Sequence, residues 1–97
     1  MKEIRQDWQH SVSTYIMTEG AECFAEVKEY GGNFNYIYVG SLCVKEEYRH
    51  QGYATKMLDY IEDKFKHYKH IAVAVAQDAP DWLVEYYNKR GYIIWEA

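Results

Sequence analysis

The sequence predicts an α/β (α+β) domain whose elements run β-β-β-α-β-α-β, and three observations carry that prediction. From Tyr53 to His67 the apolar residues Ala54, Met57, Leu58, Ile61 and Phe65 fall at offsets 0, 3, 4, 7 and 11, one stripe of a 3.6-residue helix. From Ala21 to Tyr30 the chain alternates instead, with Ala21, Cys23, Ala25 and Val27 on one face, the pattern of a half-exposed strand. Ile71 to Ala76 is apolar at every position, as expected of a strand covered on both faces.

The remaining elements follow in order. Met1 to Gln9 is polar apart from Ile4 and Trp8, and predicts at most a short helix. His10 to Met17, rich in Ser, Thr, Val, Tyr and Ile, reads as a strand. Thr18-Glu19-Gly20 is a turn that pairs it with the alternating strand in an antiparallel hairpin. Gly31-Gly32-Asn33 breaks the pattern, and Asn35 to Val44 forms the next strand. Gly40 lies inside that strand, where glycine marks a bulge or a close backbone approach. The alanine face of Ile71–Ala76 leaves room for a helix or a ligand, and a helix is the expected neighbour. Asp78 or Asp81 caps a second helix with Pro80 in its first turn, and Gly91 ends it. Tyr92 to Trp95 is a final short strand.

With 97 residues there is room for one domain spanning 1–97 and one modest core. The net charge of −4 leaves no footprint for a nucleic acid, while an acidic surface tolerates cationic partners such as amines. Eleven tyrosines suit a small protein whose core lies close to its surface. Cys23 and Cys43 lack metal-ligand or disulfide-framework spacing; both read as reduced, buried thiols of a cytoplasmic protein, and no metal site is expected. No stretch reaches the apolar length of a membrane span, and no signal-peptide pattern opens the chain.

The chemistry concentrates between the strand ending at Val44 and the helix beginning near Gly52. The first amides of a helix have no partner within it and carry a partial positive charge, so they bind phosphate. Gly52 lets a ligand approach the backbone, Arg49 brings a guanidinium suited to phosphate oxygens, and Ala54 is small enough for a tight turn. Thr55 adds a hydroxyl in the first turn. Together these residues would cradle a pyrophosphate.

Leu42-Cys43-Val44-Lys45-Glu46-Glu47-Tyr48-Arg49-His50-Gln51-Gly52-Tyr53-Ala54 resembles the acetyl-coenzyme A signature of the GNAT superfamily of N-acetyltransferases. There a strand ending in Val precedes Arg/Gln-x-x-Gly-x-Gly/Ala. Tyr86-Tyr87-Asn88-Lys89-Arg90-Gly91-Tyr92 is similar to that family's late helix, which ends aromatic-Tyr-x-x-x-Gly-aromatic. The resemblance implies a GNAT-like, mixed and mainly antiparallel sheet with two main helices packed on it. It implies that acetyl-coenzyme A is held by the backbone of Gln51, Gly52, Tyr53, Ala54 and Thr55, with Arg49 and His50 beside it. The pantetheine arm would then pair like a strand with Leu42, Cys43 and Val44, between splayed strands Tyr36–Val44 and Ile71–Ala76.

The implied reaction is direct attack of an amine on the thioester in a ternary complex, the amine being a small molecule, a lysine side chain or a peptide N-terminus. A lysine-like amine is neutral in only about one molecule in 2,500 at pH 7, so a base is needed, and the departing thiolate needs an acid. By resemblance Tyr87 is the acid; Tyr86, about 100° around the helix, should face elsewhere. The strand Tyr36–Val44 holds no glutamate, which leaves Glu26, Glu29 or a bound water as base. Cys43 as a nucleophile lacks a visible histidine partner, so a buried structural thiol is the preferred reading. The segment that in relatives carries two helices between the first two strands is cut down here. The alternative functions are therefore a non-catalytic acyl-coenzyme A-binding or regulatory module, or an interaction domain with this fold. Open sheet edges and exposed aromatics add the expectation of a homodimer.

Overall fold

The computed structural model describes residues 1–30, 35–75 and 77–96. Its elements are β1 (Lys2–Asp7), β2 (Ser11–Met17), β3 (Cys23–Tyr30), β4 (Tyr36–Val44), α1 (Tyr53–Lys64), β5 (His70–Val75), α2 (Asp81–Lys89) and β6 (Ile93–Glu96). A one-turn 3₁₀ segment, Glu46–Tyr48, stands between β4 and α1. The strands form one sheet in the order β1-β2-β3-β4-β5-β6, antiparallel through β4 and parallel from β4 to β6. The Gly31-Gly32-Asn33 break and Ala76 lie outside the described residues.

The N-terminal segment is a strand, not the short helix its polarity suggested. β1 pairs in full with β2, Lys2 opposite Met17 through Asp7 opposite Val12, although all six residues are exposed. An edge strand is held by its backbone ladder and needs no apolar side chain. Glu3 adds a tie to the body, accepting from Tyr60 Oη and pairing with Lys64 Nζ at 2.8 Å.

Both helices lie on one face of the sheet. The crossovers β4-α1-β5 and β5-α2-β6 advance in the same direction, and right-handed crossovers then stack their helices on the same side. Arg90, which caps the C-terminus of α2, ties them together, reaching Asp59 at 2.6 Å and Glu62 at 2.8 Å on α1. Under the helices lies the core, with Ile16, Ala25, Val27, Ile37, Val39, Met57, Leu58 and Ile61 fully buried. The alternation seen in sequence is therefore real: Cys23, Ala25 and Val27 point inward. The predicted helix overran by a turn, since Phe65 leaves helical geometry at φ −108°.

The other face carries no helix, and the alanine face of β5 belongs to it. Ala72 is opposite Tyr38 on one side and Ile93 on the other, and Ala74 is opposite Trp95. The small methyls let rings from the flanking strands meet above them: Tyr38 stacks on Trp95 at 5.0 Å, and Tyr36 meets Trp95 edge-on at 5.6 Å. The expected helix over this face is replaced by an aromatic lid.

β4 carries the irregularity that shapes the molecule. Glu26 pairs with Ser41 and the next residue, Val27, pairs with Val39, so Gly40 is the extra residue of a β-bulge. Pairing of β4 with β5 ends at Val39–Val73, although both strands continue. Beyond the bulge the two strands splay apart.

Candidate functional site

A cleft of about 570 Å³ opens where the splay meets the N-terminus of α1. Leu42, Cys43 and Val44 line it from β4; Arg49, His50, Gly52, Tyr53, Ala54 and Thr55 line it from the loop and helix; Tyr87 closes it from α2. These are the residues singled out from sequence, except for two. Gln51, expected to contribute its backbone, is not among the lining residues, and its side-chain amide nitrogen donates to the Glu47 carbonyl at 3.1 Å. Glu26 lines neither this cleft nor its neighbour.

The helix N-terminus offers free donors. The first bond of α1 runs from the Lys56 amide to the Gly52 carbonyl at 3.0 Å, so the amides of Tyr53, Ala54 and Thr55 have no helical acceptor. No side chain caps them and no acid sits in the first turn, which leaves the positive end of the dipole uncompensated. Gly52 has φ +86°, a left-handed conformation, and a Cβ placed there would meet no protein atom within 4 Å. It thus meets a backbone requirement and keeps the space before the amides open. His50, at φ +63°, is also left-handed without being glycine, a strained turn of the kind that clusters at binding loops. The Arg49 side chain folds back, Nε donating to the Val44 carbonyl at 3.1 Å, which ties the loop to the end of β4.

The backbone of β4 supplies a second set of free groups. The Lys45 amide donates to Glu22 across the β3 side. Backbone groups alternate sides along a strand, so those of Leu42 and Val44 point away from β3 and into the splay, where no strand pairs with them.

A second cleft, of about 850 Å³, enters the same gap from the helix-free face. Gly40, Ser41, Ala74 and Asp78 line it, and it shares Leu42, Cys43, Leu83 and Tyr87 with the first. The splay is therefore open to both faces of the sheet.

Tyr87 is only 5% exposed, and its ring stacks on Tyr92 at 5.6 Å. Burial, with the neighbouring Tyr86 adding to it, pushes its phenol above the ordinary tyrosine value, so it stays protonated at neutral pH. No hydrogen bond from the described residues engages its hydroxyl. Tyr86 was expected to face elsewhere, yet it lines the first cleft and shares a 2.8 Å hydrogen bond with Thr55 Oγ1. Both rings therefore line the first cleft.

Cys43 is exposed, not the buried thiol expected; Cys23 alone is buried. The bulge explains the reversal. Inward positions on β4 run Ile37, Val39 and then, after the extra residue, Leu42 and Val44, opposite the inward Ala25 and Cys23. Cys43, opposite the exposed Phe24, therefore faces the helix-free side. Glu26 shares that side, its Oε1 2.9 Å from the point where a Gly40 Cβ would stand, at the rim of the second cleft. Glu29 is remote, at the far end of β3, accepting from Tyr68 Oη at 2.7 Å.

Sequence reading missed Tyr48, Trp82, Leu83 and Asp78 as lining residues. Trp82, Leu83, Tyr86 and Tyr87 form one i, i+4 stripe on α2, and that spacing was the available signal. Asp78 or Asp81 was expected to cap α2 with Pro80 in its first turn, but Pro80 is itself the N-cap, Asp81 is the first helical residue and no side chain caps the helix, which leaves Asp78 to line the cleft. No helix of the described residues is long and apolar enough to cross a membrane.

Comparison with known proteins bears on this arrangement. Among solved structures, a GNAT-family acetyltransferase from Streptococcus pneumoniae TIGR4 has a similar fold, with a TM-score of 0.59 and 17% sequence identity. The match covers 84% of this chain and 58% of that one, so this chain spans less than two thirds of its neighbour's length. No curated protein matches the sequence. The sequence profile of the acetyltransferase (GNAT) family matches residues 2–92, nearly the whole chain, and the chain belongs to that family.

Proposed function

We propose that this chain binds acetyl-coenzyme A in the first cleft and transfers its acetyl group to an amine that approaches from the helix-free face. The observation that carries this reading is the uncapped N-terminus of α1, opened by Gly52 and aimed at a splay that passes through the sheet. Acetyl-coenzyme A is consumed here as a substrate. Its pyrophosphate suits the amides of Tyr53 to Thr55, and Arg49 and His50 lie beside them as further contacts. Its pantetheine arm suits the backbone of Leu42 and the amide of Val44, which no strand pairs with on the splay side, as an added strand would.

In this reading the Val44 and Leu42 amides polarise the thioester carbonyl, and Tyr87 gives its proton to the departing sulfur. The carboxylate that lines the acceptor-side cleft is Asp78, with Glu26 at its rim; either takes the amine proton directly or through water. The acceptor side has no helix over it, which suits an amine carried on a protein or peptide, or a site completed by a second copy of the chain. A cytoplasmic location is part of the same proposal, and its support is the two cysteines, which lack the spacing of a disulfide framework.

Calorimetry with acetyl-coenzyme A tests the binding half, and coenzyme A release across a panel of amines and peptides tests transfer. Absence of binding at millimolar ligand would defeat the reading. Binding without release for any acceptor would instead favour a non-catalytic acyl-coenzyme A-binding module, which the lack of a carboxylate lining the first cleft makes the second reading.

A further inference from the structure

The thiol of Cys43 stands at the one place where both clefts meet. Its strand position directs it to the helix-free face, the side from which an acceptor amine would come. Tyr87 lines both clefts from the opposite, helical side, 5% exposed and with a hydroxyl that no described residue hydrogen-bonds. A thioester carbonyl laid along Leu42–Val44 would thus have a sulfur nucleophile on one face and a buried proton donor on the other. Thiols attack thioesters more readily than alcohols do, and the exchange is nearly thermoneutral, so it runs in both directions.

We propose that Cys43 is an internal acetyl acceptor: when no amine occupies the mouth, the acetyl group passes reversibly onto its sulfur. The inference rests on the acetyl-coenzyme A reading of the first cleft. The Cys43 thiol loses its proton to water at the open mouth. Its sulfur forms a bond to the carbonyl carbon, and the bond from that carbon to the coenzyme A sulfur breaks. Tyr87 protonates the departing sulfur and recovers a proton from solvent. One thioester replaces another, with no oxidant or reductant. The second thiol does not compete: Cys23 is 1% exposed, and burial, with a smaller contribution from Cys43, pushes it up to about 11. The acetylated thiol would occupy the acceptor mouth, so the modification holds the acetyl group and blocks premature entry at once.

The test uses the whole chain with acetyl-coenzyme A and no amine. Intact-mass analysis should show one acetyl group per chain, mapped to the peptide containing Cys43 and removed by neutral hydroxylamine. The protein should also catalyse exchange of label between acetyl-coenzyme A and free coenzyme A. Cys43→Ser should lose both signals, and an excess of desulfo-coenzyme A, which can fill the cleft but not exchange, should suppress both in the parent chain. Because Cys43 is exposed, the variant should fold, and a circular dichroism spectrum and melting temperature matching the parent's would establish that it has. Tight binding without any adduct or exchange would overturn this proposal and leave the functional reading standing. An adduct that persists in Cys43→Ser, or that desulfo-coenzyme A does not suppress, would also overturn it. Failure to bind acetyl-coenzyme A would overturn both.

Discussion

Replacing Gly52 by alanine separates what this residue does for the fold from what it does for the ligand. At φ +86° an L-residue crowds its own carbonyl, a cost of about 1–2 kcal/mol. Nothing else opposes the new methyl, because no protein atom lies within 4 Å of it. For a domain of this size about 1 kcal/mol lowers Tm by about 4–8 °C, so Gly52→Ala should melt at least that much earlier. The same methyl would stand in the space before the amides of Tyr53 to Thr55. A hydrogen bond to a charged group contributes about 1.5–3 kcal/mol, so displacing one phosphate contact should weaken acetyl-coenzyme A binding at least about tenfold. Gly52→Asn divides the two effects. Asparagine visits the left-handed region far more readily, so much of the lost stability should return, while its side chain still fills the cradle and affinity should not recover. Differential scanning calorimetry without ligand and titration calorimetry with acetyl-coenzyme A read the two quantities. An affinity unchanged in Gly52→Ala would refute the cradle, whatever happened to Tm.

Three further outcomes are expected. Tyr87→Phe should lower kcat by about 100-fold or more while binding of acetyl-coenzyme A holds. On the proposed mechanism the acid form of Tyr87 is the active one, and its phenol is raised, so parent activity should fall with rising pH only above the usual tyrosine range, and steady-state pH profiles should lose that limb in the variant. Arg49→Glu should weaken affinity and flatten its dependence on salt, read by calorimetry at two ionic strengths; the loop itself should survive, since Arg49 is exposed and makes one bond to Val44. Glu3, held below the usual carboxylate range by its hydrogen bonds from Lys64 and Tyr60, contributes stability that is complete above the unfolded pKa and lost as pH falls through the folded one. Glu3→Gln should therefore lower stability by less than about 1 kcal/mol at pH 7 and make urea midpoints less sensitive to pH between about 5 and 2.

Much of the architecture was legible because its signals are local. The α1 stripe, the inward Cys23, Ala25 and Val27, and the Gly91 stop at φ +83° are each fixed by residues a few positions apart. The loop that carries the candidate site is also contiguous, and its residues from Arg49 to Thr55, apart from Gln51, meet in one cleft. What failed depended on partners distant in sequence. β1 has no apolar pattern to read; it exists because β2 offers a ladder and Lys64 and Tyr60 receive Glu3. The alanines of β5 read equally well as a floor for a helix, and only the register that brings Tyr38 and Trp95 to either side of them shows what covers them.

Cys43 illustrates how a single residue can redirect a correct pattern. Strict alternation from Ile37 and Val39 would continue inward through Ser41 and Cys43, and on that phase a buried thiol is the sound inference. Gly40 inserts one residue, and the phase after it is reversed: Leu42 and Val44 turn to the helices and Cys43 turns out. The same insertion ends the pairing with β5 and opens the splay, so the exposure of the thiol and the opening of the cleft have one cause. From sequence Gly40 marked either a bulge or a close backbone approach, and the phase after it follows only from the pairing with β3. In this strand the backbone irregularity that opens the gap between β4 and β5 is also what turns a sulfur to the helix-free side of it.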